Sequence, residues 1–224
     1  MTMFLKSIPQ KLNLLAASTI SLLAAKIFYF NNLPEIYKGA HDVGLVVEGL
    51  LGSILASYIF YLIVVHVKET KDRNLIYPHI KRWASIIVGT CSSQLSDISK
   101  ATGVQLNLSN ITQNQIVQAM NILNPHNQAP LIIGFPQNYA NWLQYLQYNI
   151  NRTKSYIAKI MSQMIYIDSE LVSLITAIEE TTYFYVITQA FQYPMRNTNM
   201  NFVAKNFFEY CQRCLQLKAY MEKI

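Results

Sequence analysis

Charged side chains are scarce in this chain. Asp, Glu, Lys and Arg together make up 13% of its 224 residues, whereas an ordinary globular domain has about 25%. The shortfall is concentrated in the first third of the sequence, and hydrophobic residues reach 52% overall. The length allows one anchor with one domain, or a single larger domain. The missing charge indicates that the first third meets lipid rather than water.

Cysteine is scarce as well. Cys91 stands alone, and Cys211 and Cys214 are three residues apart. An odd count without a spaced framework argues against a disulfide-stapled secreted fold and favours a reducing cytosol for the C-terminal part. A structural zinc site needs four ligands, which one cysteine pair does not supply. On a helix the two side chains share one face, so we expect them to pack into a core.

The residue patterns of common active sites are absent from the sequence. The four histidines are scattered, at His41, His66, His79 and His126, and no paired-histidine metal motif occurs. No serine stands in a Gly-x-Ser-x-Gly context. The sequence therefore predicts neither an enzyme nor a bound cofactor or metal.

The clearest positive feature is the apolar run Gly49–Val65, which holds no charged residue in 17 positions. The wider stretch Val43–Val67 contains one acid, Glu48. A helix of roughly 20 mostly apolar residues crosses a bilayer core of about 30 Å. Residues 43–67 are therefore predicted to form a transmembrane helix.

An earlier apolar stretch, residues 12–30, has the length for a first span. It is similar to the apolar part of a signal peptide, but bulky residues follow Ala25 where a cleavage site needs small ones. Pro34 and Gly39 interrupt the connection between the two stretches. Residues 1–67 are thus predicted to form a membrane hairpin, with spans at 12–30 and 43–67.

Basic residues set the expected orientation, because Lys and Arg collect on the cytoplasmic side of membrane helices. The N-terminal flank contains Lys6 and Lys11, whereas the connecting loop has only Lys38. Both termini are therefore predicted to be cytoplasmic, with the connecting loop on the other side of the membrane. The most basic flank follows the second span and contains Lys68, Lys71, Arg73, Lys81 and Arg82.

The same charges bear on the expected partners. A net charge of +6 suggests an anionic partner, but the run after the second span lies where anionic lipid headgroups would neutralise it. A second run, Arg152, Lys154 and Lys159, fits a solvated helix face or a protein-binding surface. Lipid and protein are therefore the expected partners, and direct nucleic-acid binding is not expected.

Two charges fall within the spans, Lys26 and Glu48. Each costs about 2.5–3.5 kcal/mol at the centre of a bilayer on insertion scales, and less near its surface. If the hairpin turns near Tyr37, the two residues are equally far from the turn and lie at the same depth. We expect them to form an interhelical ion pair, with separate snorkelling to the outer surface as the alternative.

Small residues recur at four-residue spacing in both spans, and such stripes let membrane helices approach closely. In one interpretation they pack the hairpin against itself; in the other they join several copies into an oligomer or pore. The stripes consist of Ala17, Ser21 and Ala25 in the first span, and of Gly49, Gly52, Ser53, Ala56 and Ser57 in the second.

Residues 68–224 are predicted to form a cytoplasmic helical bundle, so that the whole chain is an all-α membrane protein. The first helix of this domain covers 79–102, with Pro78 in its first turn and Gly103 as its end. Its middle, residues 89–93, is weak in helix formers and predicts a kink or a break.

Capping residues mark the later helices. Thr112 and Gln115 have the spacing of a capping box, and Asp168 is a good N-cap residue. The expected helices cover residues 112–123, 138–165, 168–191 and 202–221, separated by a proline-rich loop at 124–137 and by a break at Pro194.

The exit from the second span reads Ser-Tyr-Ile-Phe-Tyr-Leu-Ile-Val-Val-His-Val-Lys-Glu-Thr-Lys-Asp-Arg over residues 57–73. With the two-span layout and the helical domain, residues 50–73 resemble bacterial inner-membrane proteins, among them the two-transmembrane effectors encoded beside retron reverse transcriptases in phage defence. The resemblance implies a cytoplasmic domain held silent by a partner, such as a reverse transcriptase complex, and a hairpin that damages the membrane when released. It includes no catalytic motif, so no functional residue is transferred.

Two functions are therefore expected. In the first, the chain is a membrane-anchored effector, or toxin, whose hairpin perturbs the inner membrane once its cytoplasmic domain is activated. In the second, it is a passive anchor and scaffold whose helical domain recruits a cytoplasmic partner.

Overall fold

The computed structural model describes residues 10–32, 34, 39–193 and 196–223, and the described chain is mostly helical. It divides into two compact units, Met1–Leu75 and Ile76–Ile224. The division falls eight residues after the boundary expected from the sequence, residue 67, and lies inside a helix.

The first unit contains two long apolar helices, α1 (Gln10–Phe28) and α2 (Ala40–Phe60). Both are long and apolar enough to cross a membrane. A 3-10 turn, Phe30–Asn32, follows α1, and Gly39 precedes α2 in a left-handed conformation with a φ of 94°, which glycine adopts without steric cost. The expected turn at Tyr37, the loop residue Lys38 and the flanking Lys6 lie outside the described residues.

Beyond α2 the backbone does not continue as a regular α-helix. Tyr61–His66 forms a π-helical segment, and α3 (Val67–Thr102) follows directly. Pro78 lies inside α3, so its predicted place in a first turn is wrong. Lys, Glu and Arg are good helix formers, and the charged stretch before Pro78 extends the helix toward the N-terminus despite the hydrogen bond that proline removes.

The weak middle of α3 does not break the helix. Thr90 and Cys91 are buried there, and the Thr90 hydroxyl donates to the carbonyl oxygen of Ile86 at 2.8 Å. Core packing therefore compensates for low helix propensity at this point. Gly103 ends the helix with a φ of 72°, as predicted from the sequence.

The second unit continues with five helices and one hairpin. The Thr112–Gln115 capping box is confirmed, and a second box that the sequence analysis missed joins Asn141 and Gln144. The helices are α4 (Gln113–Ile122), α5 (Trp142–Met161), α6 (Ser169–Glu179), α7 (Thr182–Gln192) and α8 (Ala204–Lys223).

One predicted helix is two helices in the structure. The expected helix over 168–191 is interrupted between α6 and α7, where the Thr181 hydroxyl donates to the carbonyl oxygen of Ile178 at 2.8 Å. A threonine hydroxyl that competes for a backbone carbonyl in this way weakens a helix locally. The break at Pro194 lies outside the described residues.

A β-hairpin corrects the all-α prediction. Strand β1 (Gln128–Gly134) pairs antiparallel with β2 (Asn138–Asn141), where a loop and the start of a helix were expected. The prolines kept β1 from being recognised as a strand, although Pro130 is tolerated because the sheet has only two strands and each is an edge. The capping box at Asn141 sets the true start of α5.

The core of the second unit is built around α8, which packs against α4, α6 and α7. The sulfur atoms of Cys91 and Cys211 lie 3.7 Å apart in this core, as free thiols. The predicted core position of the cysteine pair is therefore confirmed. The fully buried face of α8 consists of Phe207, Tyr210, Cys211, Cys214 and Leu217.

Asp168 links two of these helices. Its side chain accepts from the backbone N–H of Leu171 at 2.9 Å, which caps α6, and also from the Tyr220 hydroxyl on α8. Burial alone would raise the pKa of Asp168, but the Tyr220 and Leu171 hydrogen bonds outweigh it and lower that pKa below 3.8. The predicted N-cap is confirmed.

This link predicts a pH-dependent stability. A carboxyl group with a lowered pKa in the folded state stabilises fully above its unfolded pKa, and that stabilisation is lost as the pH falls through the folded pKa. Asp168→Ala should cost about 1 kcal/mol of unfolding free energy at pH 7, because the cap is lost. Asp168→Asn retains a cap but should lose stability less steeply below pH 4 than the wild type. Thermal unfolding followed by circular dichroism tests both, and parallel acid profiles for Asn and wild type would contradict the account.

Candidate functional site

The candidate site is the seam between α1 and α2, which pack against each other. Five residues on each helix turn away from solvent at alternating spacings of three and four, as in the contact line of a left-handed coiled coil. The seam consists of Leu12, Ala16, Thr19, Leu23 and Lys26 on α1, and of Gly44, Glu48, Leu51, Leu55 and Tyr58 on α2.

An ion pair closes one end of the seam. The Lys26 Nζ atom lies 2.8 Å from Oε2 of Glu48, and it also donates to Oδ1 of Asn31 at 3.1 Å. The Lys26 side chain is 12% exposed and that of Glu48 is 38% exposed. The structure thus brings together the two charges that the sequence analysis paired. An isolated charge is costly in lipid, so in a membrane each of these side chains would offset the cost of the other.

Gly44 makes room for this pair, and the sequence analysis missed it. A Cβ atom at Gly44 would lie 3.2 Å from Cε of Lys26, which is closer than ordinary van der Waals contact. The lysine stem crosses α2 at this glycine and reaches Glu48 one turn later. A four-residue spacing from Gly44 to Glu48 on one helix face was the available signal.

A hydrogen bond fastens the opposite end of the seam. The Tyr58 hydroxyl donates to Oδ1 of Asn13 at 2.6 Å. Glu48 and Tyr58 are ten residues apart on α2, which corresponds to about 15 Å along the helix axis. Between these two polar contacts, Thr19 is 2% exposed and its hydroxyl donates to the carbonyl oxygen of Leu15. The described polar side chains of the seam therefore satisfy one another or their own backbone.

The small residues lie elsewhere. All eight residues of the predicted stripes are exposed in the single chain, so they do not form the contact line between α1 and α2, and their role in helix packing stays a prediction. At about 100° per residue, Ser21 and Ser53 lie on the sides of their helices opposite the seam. The physical reason is that polar side chains, which gain most from pairing in lipid, occupy the seam instead.

The serine hydroxyls of the stripes form their hydrogen bonds within their own helices. Ser21 donates to Ala17, Ser53 to Gly49 and Ser57 to Ser53, each to a backbone carbonyl oxygen of its own helix at 2.8–2.9 Å. Because these hydroxyls already donate to their own helix backbone, the stripes present small side chains without unsatisfied donors. Beside it, a groove of about 550 Å³ runs between Leu12 and Leu15 of α1 and the α2 residues Ser53 and Ser57.

One of the four scattered histidines, His66, lies in the π-helical segment. His66 is 7% exposed, and its ring stacks on that of Tyr61 with centroids 6.3 Å apart. The basic residues beyond the second span keep their side chains in solvent. They are Lys68, Lys71, Arg73, Lys81 and Arg82, each exposed on α3.

Cys91 and Tyr145 of the second unit have raised pKa values. Burial raises the pKa of the Cys91 thiol, and contacts with Cys211 and Cys214 raise it further, so the sulfur stays protonated and weakly nucleophilic. Burial and a hydrogen bond to Asp97 likewise raise the pKa of Tyr145. Among the residues that the structure describes, no group of three His, Cys, Asp or Glu side chains could hold a metal ion.

No family model matches this chain, and no curated protein or solved structure shows significant similarity to it. The resemblance to two-transmembrane effectors therefore rests on residues 50–73 and the layout alone.

Charge reversal tests the ion pair. Lys26→Glu and Glu48→Lys should each leave two like charges facing across the seam, and each should lower the yield of inserted protein and its melting temperature in detergent. The double reversal restores opposite charges and should recover much of both losses, because the coupling belongs to the pair. A double variant no better than either single one would contradict the pairing.

Matched glycine substitutions test the packing. Gly44→Leu would push Lys26 away from Glu48 and should lower the melting temperature clearly. Gly52→Leu is the control, because no described atom lies within 4 Å of a Cβ atom built at Gly52, and it should leave the monomer's melting temperature nearly unchanged. Equal losses for the two variants would show that the seam does not run through Gly44.

Proposed function

We propose that this chain is a membrane-anchored effector of the bacterial inner membrane, with both termini in the cytoplasm. Its hairpin perturbs the membrane when the cytoplasmic helical domain is released or activated, in the setting of phage defence that the resemblance implies. The observation that carries the proposal is the position of the small residues. They face outward on both helices, where another copy of the hairpin can reach them.

The seam supports this proposal because it makes each hairpin a closed unit. Lys26 and Glu48 neutralise each other, and Tyr58 binds Asn13. A single hairpin of this kind offers lipid an apolar exterior and has no described polar lining along which ions could pass. Damage to the membrane then requires several copies, and small residues at the contact let helices from different copies approach closely.

The second unit is the proposed control element. It has a buried core, no described metal-binding cluster and, at Cys91, a thiol whose pKa is raised by burial. These properties fit a binding domain better than a catalytic one. Its partner in this proposal is a protein assembly, such as one containing a reverse transcriptase, that holds the effector silent until it is displaced.

A passive anchor and scaffold is the second candidate. The paired charges favour it, because a neutral, fastened hairpin has the properties of a stable anchor. In that case only the second unit would matter for activity, and an unrelated hairpin would replace residues 1–67 without loss. The two candidates therefore differ in whether the outward small residues are needed.

Induced expression separates them. The wild-type chain should collapse the membrane potential of the host cell, followed with a potential-sensitive dye, whereas Ser53→Leu and Gly52→Leu should abolish the collapse because larger side chains keep copies apart. Ile54→Phe, which enlarges an exposed neighbour outside the stripes, should depolarise like the wild type at equal membrane levels. A steady potential at high wild-type expression would contradict the effector function, and equal depolarisation by all variants would contradict the role of the stripes.

A further inference from the structure

The β-hairpin presents an apolar tip to solvent. We define the β-tip as Ile132, Ile133, Gly134 and Phe135. Phe135 is 100% exposed, Ile132 55% and Ile133 49%. A fully exposed phenylalanine beside two half-exposed isoleucines is unusual on a soluble surface, where large exposed apolar groups mark binding sites.

The base of the same hairpin is fixed to the domain. Ala129 on β1 is 2% exposed and Ala140 on β2 is fully buried. Leu131 packs against the core, and both strands contact α5. The base of the hairpin is therefore packed against the domain, whereas Phe135 at its tip is left fully in solvent.

Charge is missing around the β-tip over a long stretch of sequence. Residues 101–151 contain no Asp, Glu, Lys or Arg, and His126 is their one histidine. The cleft at the base of the hairpin is lined mainly by amide side chains, among them Gln128, Asn138 and Asn141. An apolar tip above uncharged polar groups matches the change from hydrocarbon to headgroup at a membrane surface.

We propose that the β-tip inserts into the interfacial layer of the bilayer as a separate membrane contact of the second unit. The inference rests on the proposed function, since a chain anchored by α1 and α2 keeps its second unit close to lipid at a high effective concentration. An uncharged surface is the electrostatic complement of hydrocarbon, because no charge must be desolvated as it enters. Phe135 is the deepest inserting side chain and Ile133 supports it.

The native cysteines make a clean test possible. Cys91, Cys211 and Cys214 are fully buried, so a thiol-reactive fluorophore should leave the wild-type chain unlabelled and label Phe135→Cys. The full-length protein is reconstituted into vesicles of phosphatidylethanolamine and phosphatidylglycerol. Shallow nitroxide-labelled lipids should reduce the emission of the probe at position 135 about twofold, and aqueous iodide should have little effect.

Two matched positions complete the experiment. Tyr185→Cys places the probe at an exposed aromatic position on α7 and should respond to iodide rather than to nitroxide lipids. Ile54→Cys places it on the outward surface of α2 and tests the membrane hairpin independently. If position 54 is quenched by nitroxide lipids and position 135 by iodide, the β-tip proposal is wrong while the hairpin stands.

The remaining outcomes are also decisive. Shielding of position 135 from both quenchers would mean that protein covers the β-tip, and this overturns the proposal. Equal lipid quenching at 135 and 185 overturns it as well, because the contact would not belong to the tip. Absence of lipid quenching at position 54 would instead contradict a membrane location of α2, and the β-tip proposal, which rests on that location, would then be wrong as well.

Discussion

Polar side chains between two helices long and apolar enough to cross a membrane need a hydrogen-bonding or ionic partner. This constraint decides how the first unit is built. Lys26 and Glu48 satisfy it at one end of the seam, and Tyr58 and Asn13 at the other. These contacts select one face of each helix, and Gly44 lowers the surface where the lysine stem crosses. Every other face of α1 and α2 is then directed outward, including the faces made of small residues.

The separation of the seam face from the outward faces of α1 and α2 links the structure to the proposed function. A hairpin held by two polar contacts can keep its form while its outer surfaces meet other copies, so assembly need not reopen the seam. The second unit is folded around α8 with its own core, and in the proposed function it is this unit that binds a partner. In the proposed effector, closure of the hairpin and assembly of several hairpins use different residues.

The sequence was sufficient where one local rule governs the outcome. Equal distance from the turn paired Lys26 with Glu48, and capping chemistry located Thr112 and Asp168. The sequence was insufficient where the same residue pattern is compatible with two structures. Four-residue spacing of small residues is the same whether they meet within a chain or between chains, and the prolines around β1 indicated a loop although two edge strands tolerate them. The polar residues Thr19 and Lys26, seven positions apart on one face of α1, were the better signal for the seam.

Cysteine cross-linking in native membranes measures the central claim most directly, since the native thiols are buried. Ser53 lies opposite the seam and Leu51 within it. With copper phenanthroline as oxidant, Ser53→Cys should give a covalent dimer between copies, and Leu51→Cys should remain monomeric. Dimers through position 51 with none through position 53 would contradict the claim that the polar seam closes each hairpin and that the small residues join one hairpin to the next.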